Sequence, residues 1–392
     1  MVENTEKQER TVFTDGIRQA IVGTFPFDSV EQRDIFSNTL ESLAQDCGDL
    51  PDVEFIRNIR FTLASLENAH THLEEEGVVK YYLERPIIYK AGKFWIEDNG
   101  VTVEVVSMQG VAIEDLVKEK MKERGGGTTE YKINRALRSL LSSEIVHSVV
   151  LGVIKENEVF DIVVRFVDEG ESTVPVTSKR FVSGKMLDQH IGYLRIKSWS
   201  GRVSFDGKTV ADLVEEELEA LGAAKFLILD VRENGGGDSP LAEKLAGRFV
   251  KKATPYGTVF KRQASQDELV RSELELKPQG SFLDKKVVVL TGPKCLSSNE
   301  MFIMMMKDTG IAVTIGQTTG GGSGNPKSFE IALQGKTYTL KVSSWSMMRN
   351  NGDRLESIGI EPDVSVAITA EDVVQHRDAV LEAAKEYLQY NR

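Results

Sequence analysis

The chain has 392 residues, 41% hydrophobic and 28% charged, which supplies a sizeable core and predicts two or three domains. A formal net charge of −12 argues against nucleic acid or an anionic lipid surface as the main partner. Cys47 and Cys295 are too few for a disulfide framework or a cysteine-based zinc site, and no cofactor or metal is expected.

The N-terminus, MVENTEKQERTVF, lacks the apolar core of a signal peptide, and no segment approaches the ~20 apolar residues that span a bilayer. The expectation is a soluble, cytoplasmic protein. Residues 1–78 read as a helical domain, because DSVEQRDIFSNTLESLAQDC and DVEFIRNIRFTLASLENAH repeat apolar residues every three or four positions. Ser29 and Asp52 are plausible helix starts.

Residues 79–187 read as a small α+β insert. VVKYYLERPIIYKAGKFWIEDNGVTVEVVSM alternates as short strands broken by AGK and DNG turns. AIEDLVKEKMKERGGG reads as a helix stopped by glycines. NRALRSLLSSEIVHSVV reads as a further helix with His147 in its core, and VFDIVVRFVDEGESTVPV as strands.

Residues 188–392 read as an α/β core. The strands GYLRIKSW, KFLILDV, KKVVVL and IAVTIG are separated by the helices TVADLVEEELEAL, LAEKLAGRFV and EMFIMMMKDT, which predicts a mainly parallel sheet covered by helices. TYTLKVSSWSM adds a late strand, and AEDVVQHRDAVLEAAKEYL closes the chain as one helix.

The chemistry gathers at the seams of this core. KCLSSNE joins a buried strand to a buried helix, and Ser297 with Glu300 satisfies the capping-box pattern, so the serine reads locally as either a cap or a nucleophile. Gly235, Gly236 and Gly237 follow the strand KFLILDV without matching a dinucleotide or phosphate loop. The run GQTTGGGSGN, at 316–325, also lacks the P-loop lysine. A nucleophilic serine needs a base. Five histidines are available, His70, His72, His147, His190 and His376, and local sequence does not choose among them. The G-x-S-x-G elbow is absent.

Taken together, GYLRIKSW, LILDVRENGGG, VVVLTGPKCLSSNE, IGQTTGGGSG, RLESIGIEPDVSV and SLENAHTHL resemble, in family order, the S41 peptidases of the C-terminal processing or tail-specific group. The likeness is nearest to the branch with the tricorn core protease and the retinoid-binding repeats. It implies a ClpP/crotonase-like core and a serine peptidase acting on peptide or protein substrates. The same resemblance places Ser297 as nucleophile, His70 as general base and Glu356 as the carboxylate that orients the imidazole. Gly236 and Ser298 would supply the oxyanion-hole N–H groups, with Gly235, Gly237, Gly321 and Gly322 lining the substrate path. The family's alternative lysine base would fall near Gly322, where the nearest lysine is Lys327, so a Ser–Lys dyad is disfavoured.

Residues 79–185 lack a convincing carboxylate-binding PDZ loop, and VEVVSMQGVAIEDLV resembles a degenerate form of the segment that follows one. A non-catalytic protein holding an apolar ligand or peptide on the same fold is the alternative function, and a scaffolding α/β protein the third. A homo-oligomer is compatible with the sequence. The acidic run EEEGV beside His70 reads as a solvated loop or as a source of a raised imidazole pKa.

Overall fold

The computed structural model describes residues 2–46, 50–168, 181–201, 204–205, 207–262 and 268–390. Cys47 and the expected strand residues 169–176 lie outside them.

Three helices open the chain, Val2–Thr24, Val30–Asp46 and Asp52–Ala64. Their apolar stripes, with Phe13, Ile17, Ile21, Phe55, Ile59 and Leu63, are too large to be covered by one another. They close instead on Leu333, Tyr338, Leu340 and Val342, from two strands that follow some 270 residues later (Lys327–Leu333 and Lys336–Val342). The strand His72–Glu75 completes that antiparallel sheet, pairing His72 opposite Lys341. The acidic run after His70 is therefore strand at Glu74 and Glu75 and leaves it at Glu76 and Gly77, which are exposed.

The middle of the chain builds an eight-stranded antiparallel sheet. Helices Ile113–Met121 and Thr129–Leu140 pack on it through Ile113, Val117, Ala136 and Leu137. The expected helix through His147 stops at Leu140, and Ser148–Lys155 is a strand. Its β-branched run VVLGVI is held between two neighbouring strands, which outweighs the helical spacing. His147 lies before that strand and stacks on Phe166 at 4.5 Å.

The C-terminal part is organised by a six-stranded sheet in the order 182–186, 191–196, 226–230, 286–291, 312–316 and 364–365. The first pairing is antiparallel and the other four parallel. Both faces are covered. Leu227, Leu229, Val287 and Val289 meet helices Val210–Ala220, Ser239–Ala246 and Ser298–Asp308. Ile228, Val288 and Leu290 meet Val380, Ala384 and Leu388 of the helix Ala379–Tyr390. Among the described strands, parallel pairing is confined to this sheet. Elsewhere the described strands are antiparallel, including a trio of 269–276, 254–262 and 345–349, the first two of which the sequence did not announce, so a mainly parallel architecture is too broad a description.

The closing helix is two helices, Ala370–Val374 and Ala379–Tyr390. Between them His376 takes a φ of 54°, and the Arg377 N–H and guanidinium both turn back to Asp372. No described helix is long and apolar enough to cross a membrane.

The dependence of the N-terminal helices on distant strands is directly testable. Phe13 is fully buried and meets Tyr338 edge-on at 5.3 Å. Phe13→Ala should cost about 3–5 kcal/mol of unfolding free energy in a urea titration.

Candidate active site

The strand Lys286–Thr291 runs through a short turn into Ser297 and the helix Ser298–Asp308. Nine of that helix's eleven residues are buried, so its position relative to the sheet is set by packing. Ser297 holds the N-cap position, yet its side chain accepts no first-turn N–H. Its backbone has φ 61° and ψ −131°, a left-handed conformation that side chains rarely adopt. Ser297 is half-buried rather than sealed in the core. The capping expectation is therefore not met: the serine is held in a strained posture by its surroundings and caps nothing.

Two glycine loops produce that posture. A Cβ at Gly236 would lie 2.8 Å from the Ser297 Cβ and 2.9 Å from the Leu296 carbonyl oxygen, so only glycine permits this approach. Ser297 donates its own N–H to the Gly322 carbonyl at 2.9 Å. The N–H of Ser298, at the first turn of the helix, has no partner among the described residues.

Gly236 does not match its expected part. Its N–H donates to Asn234 Oδ1 at 2.9 Å and its carbonyl accepts from Trp199, so it has no donor to spare. Gly235 is exposed, and neither its N–H nor that of Gly237 has a partner among the described residues. Gly237 is bridged to Trp199 and packed against that backbone.

Glu300, read from sequence as the far half of a capping box, is fully buried; it keeps a backbone contact with Ser297 and also serves the second loop. It accepts from the Gly321 and Gly322 N–H groups, both at 2.8 Å, and from the Thr319 hydroxyl. Gly321 and Gly322 consequently have no N–H to offer a substrate and act as anchors beneath Ser297. Burial pushes the Glu300 carboxyl up to about 7, with Thr319 and the glycine N–H groups pulling it down.

His70 arrives at this loop from the other end of the chain. A methyl at Gly324 would meet its Cβ at 3.0 Å, and one at Gly322 would meet the Cβ of Ala69 at 2.8 Å. The glycine run thus carries Ser297 and the His70 turn together. His70 is half-buried; its Nδ1 has no hydrogen-bond partner among the described residues, and the Ser323 backbone acts to raise the imidazole pKa. Burial first, then Arg135, His72 and Lys341, push the imidazole down to about 3, so the acidic run does not raise it.

Glu356 sits beside His70 without bonding the imidazole. Its two oxygens accept the N–H groups of Ala69 at 2.8 Å and Ser323 at 2.9 Å. Burial pushes it up to about 8 against those two donors. The expected orienting contact is replaced by a backbone clamp on the residue before His70.

Other residues fall away from the chemistry. Lys327 is exposed at the start of its strand, and His190 and His376 lie outside this cluster. Trp199 is core, donating to Asn299 at 3.1 Å, and Tyr193 donates to Asp230 at 2.6 Å. Burial pushes the Cys295 thiol far up, which makes it inert packing.

Sequence reasoning passed over Asn234 and Asn299. The Asn299 amide donates to the carbonyls of Val231 and Asn234 and so staples the first glycine turn to the helix Ser298–Asp308. The available signal was an amide at the start of an otherwise apolar helix.

Against known proteins, residues 190–366 match the model of peptidase family S41. The carboxy-terminal processing protease CtpB of Bacillus subtilis is 24% identical over 188 residues, which is 47% of this chain and 36% of that protein. The chain thus spans about a third of the length of this curated relative. Among solved structures, mature CPAF superposes with a TM-score of 0.77 at 13% identity, covering 99% of this chain and 96% of that one. The photosystem II D1 C-terminal processing protease superposes at 0.56 and 15% identity, covering 92% and 93%.

The two raised carboxyls have a thermodynamic consequence. Each has a folded pKa above the ordinary 4.5, so its contribution to stability is present while protonated and lost as pH rises through about 7 for Glu300 and about 8 for Glu356. His70 and His72 are lowered from 6.5 and act in the opposite sense, losing stability only as pH falls below 6.5. From pH 6.5 upward the carboxyls dominate among these four. Unfolding free energy should therefore fall from pH 6.5 and level off above about 8, and Glu356→Gln should remove the part of the fall that persists between about 7 and 8. Separately, Ser297→Gly should stabilise the fold relative to Ser297→Ala by about 1 kcal/mol, by relieving the strained φ.

Proposed function

We propose, on the premise that residues 190–366 form a peptidase family S41 domain, that the protein is a serine peptidase acting on peptide or protein substrates. The observation that carries this reading is Ser297 itself, strained, half-open and free of any capping duty at the start of a buried helix. Strain of this kind persists only where the surroundings impose it.

In the proposed reaction Ser297 Oγ attacks the scissile carbonyl and His70 accepts its proton. The Ser298 and Gly235 N–H groups face the developing oxyanion. One such donor is worth roughly 2.7–4 kcal/mol in comparable sites. His70 then returns the proton to the leaving amine, and a water activated by the same imidazole releases the acyl group from Ser297.

An imidazole lowered to about 3 is a poor base alone, so the mechanism requires an anion beside it. In this reading Glu356, clamped to the neighbouring Ala69 N–H, supplies that anion and takes up the Nδ1 proton. His70 and Glu356 then titrate as a pair, and the base becomes effective as that pair loses its proton. C-terminal processing, the activity in CtpB's name, is a candidate activity for this chain too.

A fluorophosphonate probe should label the folded protein, with the rate rising toward pH 8. Ser297→Ala should abolish labelling, and His70→Ala or Glu356→Gln should slow it by roughly 10²–10⁴-fold. Absence of labelling from pH 6 to 9, with the fold intact, would refute the peptidase reading.

A further inference from the structure

Arg135 lies on the helix Thr129–Leu140 of the middle region, far in sequence from both proposed catalytic groups. One arm of its guanidinium donates to the Ala69 carbonyl, and the other lies 3.1 Å from His72 Nδ1. Arginine can only donate, so this contact requires His72 Nδ1 to be an acceptor and the ring to be neutral with its proton on Nε2. Nε2 lies 3.1 Å from a Glu74 carboxylate oxygen, the partner such a proton needs.

Ala69 is thus gripped at both polar ends, its N–H by Glu356 and its carbonyl by Arg135. His70 is the next residue, and His72, just beyond, is fixed in turn by the guanidinium and by strand pairing with Lys341. The same helix touches the nucleophile's loop. At its start the Thr128 N–H donates to the Gly320 carbonyl at 2.7 Å, and the Thr128 hydroxyl to the Thr319 carbonyl at 3.2 Å. Just before it, Gly125 and Gly126 press on Ala64, Asn68 and Ala69 so closely that a Cβ at either would overlap backbone. Thr128 and Arg135 are about 10 Å apart along one rigid helix.

We propose that this helix is the spacer that sets the His70 turn against the Ser297 loop, with Arg135 and neutral His72 as its positioning residues. The proposal rests on the peptidase reading for its consequence in catalysis, but the bracket itself can be tested without activity. The charged and titratable groups facing His70 are Arg135, His72 and Lys341, with Glu356 behind Ala69. Those facing His72 are Glu74, Arg135 and Arg124. A protonated His72 would set a second cation against the guanidinium and open the bracket. Burial and Arg135 lower its pKa to about 4, so the bracket stays closed above that pH.

The experiment compares full-length wild type, Arg135→Lys, Arg135→Ala, His72→Gln and, as a control on the same helix, Lys132→Ala, which removes a 2.8 Å ion pair with Glu67. Three quantities are read: thermal unfolding, the second-order rate of fluorophosphonate labelling, and the His70 titration by NMR of 13C-labelled histidine. Arg135→Lys keeps a cation but loses the fork, so labelling should slow by roughly tenfold to a hundredfold while the His70 titration stays in place. Arg135→Ala should slow labelling as much and also move the His70 titration upward, because a repelling charge is gone. His72→Gln should slow labelling less than either, and Lys132→Ala should change neither reading.

A folded Arg135→Ala with wild-type labelling and an unmoved His70 titration overturns the proposal. If Arg135→Ala does not fold, wild-type labelling in both Arg135→Lys and His72→Gln overturns it. A wild type that never labels, with the His70 titration still moved by Arg135→Ala, overturns the peptidase reading and upholds the bracket.

Discussion

The buried carboxylate of Glu300 is the contact from which the rest of the site hangs. A fully enclosed carboxyl is tolerated only when its acceptor capacity is used, and three donors from the 319–322 loop use it. In return the loop is held flat against the start of the helix Ser298–Asp308, with the Gly322 carbonyl aimed at the Ser297 N–H. That geometry makes the helix start unable to relax around Ser297, whose φ of 61° is its visible result. The carboxyl lies one turn into the helix, so it also ties the loop to the most buried helix of the core.

Three separate parts of the chain converge on this loop. The core contributes Ser297 and Glu300, the N-terminal helices deliver Ala69 and His70, and the middle region adds Thr128, Gly127 and Arg135. Glycine is required here because backbones meet without room for a Cβ: a methyl on Gly320 would contact Cys295, Leu296 and Tyr131 together. A site assembled this way has few independent parts. Moving the middle region would disturb the His70 turn and the loop at once.

The carboxyl groups show how burial reshapes roles that residue type alone suggests. Glu300 fits a capping-box pattern, yet its helix is buried around nearly its whole circumference, and the carboxylate is more valuable to orphan loop N–H groups than to a solvated turn. Glu356 fits an orienting carboxylate, yet it satisfies two backbone donors while the imidazole beside it has an unpartnered nitrogen. Gly236 fits an oxyanion donor, yet Asn234 claims its N–H.

Much of this architecture was written locally. The apolar runs VVVL and FLILD specify buried strands, the spacing in TVADLVEEELEAL specifies an amphipathic helix, and Ser297 with the two glycine runs mark where backbone must approach backbone. These features depend on neighbours a few residues away, so a linear reading reaches them. The division of His147's segment into helix and strand, the break at His376 and the antiparallel trio were decided by pairing partners distant in sequence. So were Arg135, Asn234 and Asn299, whose importance lies wholly in the carbonyls and amides they meet. The sequence by itself determined which residues could do chemistry and which segments could be buried. Only the tertiary structure decided which hydrogen-bonding groups were already spent, because a donor's availability is a property of whatever the fold has placed beside it.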